Sequence, residues 1–200
     1  MAKAMSGQNP VKPTPDGLEA SIKASQTRGL PPVHLWNPPF CGDLDIRIAK
    51  DGTWSYLGSP IKRFELVKLF SSILKKEGEK FFLVTPVEKV GIIVEDAPFI
   101  AVDVDSNGEG QARTLTFSTL VGETVTAGPD HPIRIDVDPE TEEPSPYVLV
   151  RANLEARLDR KTFYRLVDSA THHGDWFGVW SGGQFFGLIP SDQLDLDQAD

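Results

Sequence analysis

The sequence predicts an α+β protein made of two similar β-β-α-β-β units, an internal duplication, with mostly antiparallel sheets each packed on one helix and a β-hairpin inserted between the units. Three observations carry this. The first is a stretch written twice: residues 57–70 align without a gap on 154–167, with leucine, arginine and the apolar helix positions coinciding. The second is that the match continues outward. Ile46-Arg47-Ile48 precedes the first copy as Ile133-Arg134-Ile135 precedes the second, and paired aromatic and Gly-Ile or Gly-Leu runs follow both. The third is a hairpin around Asn107-Gly108 with no counterpart in the first copy. A repeated unit implies two alike half-domains with a seam, and a seam is where a ligand can sit. The expected division is an N-terminal arm (1–30), a first repeat domain (31–98), a second repeat domain (99–190) that includes the inserted hairpin (99–118), and an acidic tail (191–200).

Taken in order, Thr14-Pro15 predicts a short helix to about Ser25 with Gly29 as its stop and a thin apolar stripe of Leu18 and Ile22. A Pro-rich lead-in follows, carrying His34, Trp36 and Asn37. From Asp43 the alternation is strict: Leu44, Ile46 and Ile48 face one side, Asp43, Asp45 and Arg47 the other. Lys50-Asp51-Gly52 reads as a hairpin turn and 53–57 as the return strand. A helix beginning between Pro60 and Arg63 buries Leu66, Leu69, Phe70 and Ile73, sets Lys75 and Lys76 on its polar face and stops at Gly78. Residues 81–85 and 90–94 form a hairpin across Pro86-Val87-Glu88. In the second copy, strands 133–137 and 147–153 are joined by a long acidic loop, 138–146. Asp159 is a good N-cap for a helix ending near His172, and 176–180 pairs with 185–189 across Ser181-Gly182-Gly183.

A formal net charge of −9 and a pI near 4.9 argue against a nucleic-acid polymer or an anionic membrane as partner, since both select clustered Lys and Arg. No apolar run approaches the roughly 20 residues of a spanning helix, and the first fourteen residues lack the apolar centre of a signal peptide. Cys41 is the only cysteine, so no internal disulfide forms and a cytoplasmic home is expected.

The most unusual chemistry lies at the helix starts, where Lys62-Arg63 and Arg160-Lys161 occupy the first turn of both copies. A cation there opposes the helix dipole at a cost of roughly 0.3–1 kcal/mol, and a bound anion reverses the sign. The bland alternative is that Arg63 and Arg160 pair with carboxylates such as Asp45 or Glu155. Asp43 and Asp45 lack a third ligand for a cation, and Asp103-x-Asp105-x-Asn107-Gly108 departs from a calcium loop at Gly110 and Thr114, so neither predicts a metal. Cys41 is expected to be a buried inert thiol, and His172-His173 a helix C-cap. The hairpin tip at Glu88 and Lys89 carries both charges. The aromatic crowding at Trp176, Phe177, Trp180, Phe185 and Phe186 reads as sheet core, with base stacking as the other option. No Walker loop, dinucleotide glycine motif, nucleophile elbow, His-Glu-x-x-His or Cys-x-x-Cys occurs, so no cofactor and no motif enzyme is predicted.

Residues 38–43 (Pro-Pro-Phe-Cys-Gly-Asp), 51–54 (Asp-Gly-Thr-Trp), 58–61 (Gly-Ser-Pro-Ile), 66–70 (Leu-Val-Lys-Leu-Phe) and 83–89 (Leu-Val-Thr-Pro-Val-Glu-Lys), with 94–98 (Val-Glu-Asp-Ala-Pro), resemble the bacterial family called domain of unknown function 1285 across about 31–190. The resemblance implies a duplicated α/β core, a C-terminal half superficially like a pleckstrin-homology fold, a nucleotide-like ligand at the domain interface and a role in signalling; it brings no catalytic residues. The combined expectation is a binding protein with a small anionic ligand at the seam. Arg47, Arg63, Arg151 and Arg160 would contact phosphate, Trp36 or Tyr56 would stack, and Glu88 and Lys89 would lie nearby. The competing readings are a protein-interaction module using its sheet edges and acidic loop, and, more remotely, an enzyme using Cys41 or Asp43 and Asp45.

Overall fold

The computed structural model describes residues 13–25 and 29–194; the polar start of the arm, residues 26–28 and the acidic end 195–200 lie outside the described residues. Helix α1 (Pro15–Ser25) begins where Thr14 Oγ1 accepts the Gly17 N–H at 3.2 Å. The arm is docked: Leu18 and Ile22 are fully buried in the core, and Glu19 pairs with Arg63 and, at 2.7 Å, with Lys23.

The first unit follows as β1 (Phe40–Ile48), β2 (Trp54–Tyr56), β3 (Ser59–Pro60), α2 (Phe64–Ser72), β4 (Leu74–Glu77), β5 (Lys80–Val84) and β6 (Lys89–Val94). Its sheet runs β3-β2-β1-β6-β5-β4, and the central β1–β6 pair is parallel. Strands β7 (Phe99–Asn107), β8 (Thr114–Thr119) and β9 (Thr124–Thr126) come next. The second unit repeats the order: β10 (Ile133–Val137), β11 (Pro144–Arg151), β12 (Leu154–Leu158), α3 (Arg160–Asp168), β13 (Thr171–His173), β14 (Trp176–Ser181) and β15 (Gln184–Pro190), with the short α4 (Ser191–Leu194) behind it.

Each unit is therefore β-β-β-α-β-β-β, one strand longer on either side of the helix than the expected β-β-α-β-β. The helix after Arg63 does not run to Gly78. The hydroxyls of Ser71 and Ser72 donate back to the Lys68 and Leu69 carbonyls at 2.8 and 2.6 Å, competing for the acceptors a further turn would use. Lys75 and Lys76 then enter an antiparallel ladder with β5, and Gly78, at φ 59°, is its turn. Likewise α3 ends at Asp168, Ser169 Oγ donating to the Leu166 carbonyl at 2.7 Å, so His172 and His173 lie on β13 and are not a helix cap.

The sheets are mostly antiparallel, as expected, but each six-stranded sheet is mixed, with one parallel pair. In the second, ordered β10-β11-β12-β7-β8-β9, β7 pairs parallel with β12. The expected insertion, 99–118, thus supplies two strands of a six-stranded sheet, and β9 beyond it a third. Its turn spans 108–113 with a short 3-10 segment, Gly110–Ala112, in place of a tight Asn107-Gly108 reversal. The repeat alignment explains why only the second copy is extended. Pro60 stands where the second copy has Arg157; proline has no N–H to donate and ends the β3 edge. Arg157 pairs with Ile100 instead, and β7 joins. Strands β13, β14 and β15 form a separate sheet that packs beside β10. One continuous core, including Phe70, Phe99 and Phe117, runs through both units.

Candidate functional site

The predicted site residues are brought to several places rather than one. Arg47, on the exposed face of β1, pairs with Glu95 at 3.0 Å. Arg63 pairs with Glu19 of the arm, and Lys89 with Glu77 at 2.9 Å while lying over the Phe82 ring. Glu88 is half-buried; desolvation pushes its carboxyl up, partly offset by a hydrogen bond with Ser21 of α1. Arg151 forks onto Glu123, with Nε to Oε2 at 3.0 Å, and donates to the Ser71 carbonyl at 2.6 Å. Trp36 and Tyr56 pack half-buried against the core. Arg160, unlike Arg47, Arg63 and Arg151, has no ion pair among the described residues; its Nε donates to the Tyr164 hydroxyl at 3.0 Å.

Other expectations are corrected. The carboxylate partners are Glu19 for Arg63 and, for Glu155, Arg134 in a fork of two 2.7 Å bonds. Cys41 is exposed, its Sγ 3.4 Å from the Pro39 carbonyl, because it lies on the solvent side at the start of β1. Asp43 and Asp45 are exposed on the outer face of that strand. Among the described residues no group of three His, Cys, Asp or Glu is placed to hold a metal ion. His173 meets Trp180 edge-on and Phe185 at a tilt, each with ring centroids 4.9 Å away.

Two cavities lie where the units meet. One, of about 580 Å³, is closed on one side by the β1–β2 turn and on the other by the start of α3. Its apolar lining is Ile100, Val102, Leu120 and Phe163. Lys50, Arg157 and Arg160 line it together with Asp51, Glu143 and Asp159. These charges are unequally free. Asp159 caps α3 by accepting the Thr162 N–H at 2.7 Å, and Asp51 accepts the Thr53 N–H at 2.8 Å. Arg157 is held by Asp96 at 3.1 Å. That leaves Lys50, Arg160 and Glu143 with ionic ends not engaged in an ion pair among the described residues, and Tyr164, half exposed, beside the Arg160 guanidinium. Lys50 and Arg157 were not singled out from the sequence. The first was hidden in a turn signal, and the second is visible only as the residue replacing Pro60 in the repeat.

The second cavity, of about 520 Å³, lies between the lead-in, β4 and the β11–β12 turn, and includes Arg151. A third, of about 480 Å³, separates α1 from α2 and includes Arg63. Arg47, Glu88 and Lys89 line none of the three.

Asp96 ties the units at their join: Tyr147 Oη donates to its Oδ1 at 2.8 Å and Arg157 Nη1 to its Oδ2. Burial first, and the bond to Asp96 second, push the Tyr147 phenol up to about 12. The folded value exceeds the unfolded one of about 10, so this contribution is complete below pH ~10 and is lost as pH rises toward 12. The urea midpoint of the wild type is expected to fall more steeply over that window than that of Tyr147→Phe; parallel curves would refute the assignment.

The fold and the seam define a class: a duplicated α+β protein whose two units enclose charged cavities, with no helix among the described residues long and apolar enough to cross a membrane. Residues 31–97 match the model of the domain of unknown function DUF1285, N-terminal domain, and 98–188 that of the protein of unknown function DUF1285, C-terminal domain. The chain belongs to the DUF1285 family. It is similar to the crystal structure of a DUF1285 family protein from Silicibacter pomeroyi DSS-3, at 58% identity and TM-score 0.84, covering 90% of this chain and 98% of that one. It is also similar to a DUF1285 family protein from Shewanella baltica OS155, at 30% identity and TM-score 0.50, covering 63% of this chain and 92% of that one. No curated protein matches it.

Proposed function

We propose that this protein binds a small anionic, nucleotide-like ligand in the 580 Å³ seam cavity and acts as a ligand-responsive regulatory protein. One observation carries the reading. Two cations without an ion pair among the described residues, Lys50 from the first unit and Arg160 from the second, line the cavity with the apolar Ile100, Val102 and Leu120, and the exposed Tyr164 ring lies beside Arg160. A phosphate calls for the former and a planar base for the latter. The volume suits a nucleotide-sized molecule, since ligand cavities run from about 300 to 1,000 Å³. Lys50 and Arg160 come from different units, so an occupant would tie the units together, which is what couples binding to a change in the whole chain.

The test is a thermal-shift panel of nucleotides. The wild-type melting temperature is expected to rise with at least one nucleotide, by an amount that grows with ligand concentration. Lys50→Ala combined with Arg160→Ala is expected to abolish the rise. A panel that never moves the wild type, or a rise untouched by the double change, refutes the proposal.

A further inference from the structure

The 520 Å³ cavity has a different electrostatic character. Three chain segments build its wall: the lead-in contributes His34, β4 contributes Lys75 and Lys76, and the β11–β12 turn contributes Arg151 and Asn153. No Asp or Glu lines it, in a chain of net charge −9. The partner carboxylates of these cations, Glu77, Glu79 and Glu123, all stand outside the wall.

The cations are also withdrawn from water. The side chains of Lys75, Lys76 and Arg151 are 28, 26 and 22% exposed, against 63% for Lys23 and 57% for Arg63 on the surface pairs. Lys76, on the same face of β4 as Leu74, and Arg151 raise the local potential, and the field is focused where the walls are apolar, as Leu74 and Leu154 make them; the Lys75 side chain, one residue along the strand, lies on the opposite face with Glu77. Their present partners do not cancel this equally. Lys76 reaches only the outer carboxylate of Glu79, at 3.9 Å, and Glu79 is 95% exposed, so that pair exchanges readily for a better anion. The cavity is held open across the seam. Asn153 Nδ2 donates to the Lys76 carbonyl at 3.2 Å, and Arg151 to the Ser71 carbonyl at 2.6 Å. Apart from His34, no aromatic side chain lines it, so nothing there is built to stack on a base.

We infer that this cavity is a second anion site, separate from the proposed nucleotide cavity, and that it takes a compact polyanion, a chain of two or three phosphates read by its charge. The ligand would be held by Lys76 from one unit, with His34 and Arg151 from the two sides of the seam. That chain could be free or the tail of a nucleotide, and the titration below separates the two.

The experiment is calorimetric titration of the whole protein with sodium tripolyphosphate against sodium chloride at matched ionic strength. Saturable one-to-one binding is expected in the wild type. Lys76→Gln combined with His34→Gln is expected to weaken it by at least tenfold, whereas Arg160→Ala, in the other cavity, leaves it unchanged. Absence of saturable binding, or loss in Arg160→Ala but not in the double variant, overturns the assignment. A nucleoside triphosphate in place of tripolyphosphate, titrated into a background carrying Lys50→Ala and Arg160→Ala so that the other cavity does not contribute, decides the source: equal affinity, lost when Lys76→Gln and His34→Gln are added, means the phosphate chain alone is read. Tighter binding in that background that survives the addition means the base is required, and the inference falls. Should the double variant misfold, amine-reactive footprinting of the wild type decides instead. Tripolyphosphate is expected to protect Lys76 while leaving Lys50 reactive, and an unprotected Lys76 overturns the site. The outcome is independent of the nucleotide proposal, since that rests on Lys50 and Arg160.

Discussion

Phe70→Ala is expected to cost about 3–5 kcal/mol of folding stability, the range for emptying a large aromatic from a packed core. Phe70 is fully buried and is the longest apolar side chain of α2 in the core; its ring lies 6.4 Å from Trp54 of β2. Removing it detaches the helix from the sheet beneath it. Because the core is continuous through both units, the loss is expected to lower the urea midpoint of the whole chain in one transition, seen alike by far-UV circular dichroism and tryptophan fluorescence. A change below about 1 kcal/mol would mean that the helix is held by something other than this ring, well short of the usual cost of such a cavity.

Gly52→Ala is the second large effect, and it tests the seam. Gly52 sits at φ 84° in the β1–β2 turn, and a Cβ there would come within 2.8 Å of Ile100 Cγ1 and 3.2 Å of Leu120 Cδ2, side chains of the second unit. Two costs therefore add: about 1–2 kcal/mol for a left-handed non-glycine residue, and about 1–3 kcal/mol for overpacking against a filled neighbour. Gly58→Ala separates them. Gly58 is at φ 74° with nothing within 4 Å of the added carbon, so it bears the backbone cost alone. Gly52→Ala is expected to be the more damaging by denaturant titration, and also to weaken any ligand bound between Lys50 and Arg160, since the turn carries Lys50. Equal losses in the two variants would show that the turn does not bear on the second unit.

Much of the architecture was readable because the signals are local. Thr14-Pro15 marks α1, whose range Pro15–Ser25 agrees with the reading. The alternation of β1 appears as buried Leu44, Ile46 and Ile48 against exposed Asp43, Asp45 and Arg47. Asp159 caps α3 through Thr162 as its position before the helix implies. The duplication survives as matching element orders. Strands β4 and β13 were missed because each continues an apolar and charged pattern that also fits another turn of helix. Whether Lys75 and Lys76 lie on a helix face or a strand depends on a partner, β5, that local period does not contain.

The candidate site was less legible still. Reading first-turn cations as ligand contacts depends on what else is within reach, and Arg63 meets Glu19 from an arm more than forty residues earlier in the chain. Arg151 meets Glu123 and a carbonyl of the other unit. Arg160 has Tyr164 one turn along the same helix, a contact that sequence spacing alone could have suggested.

What the sequence by itself determined are the quantities set by neighbours along the chain: the repeat, the strand and helix periods and the caps, together with the net charge of −9. Tertiary structure alone decided which strands pair in parallel, that β7 extends the second sheet where Pro60 closes the first, and which cations are matched by carboxylates. The reason is physical. Period and capping act over a few residues, whereas ladder partners and ion pairs are chosen by distances in space between segments far apart in sequence.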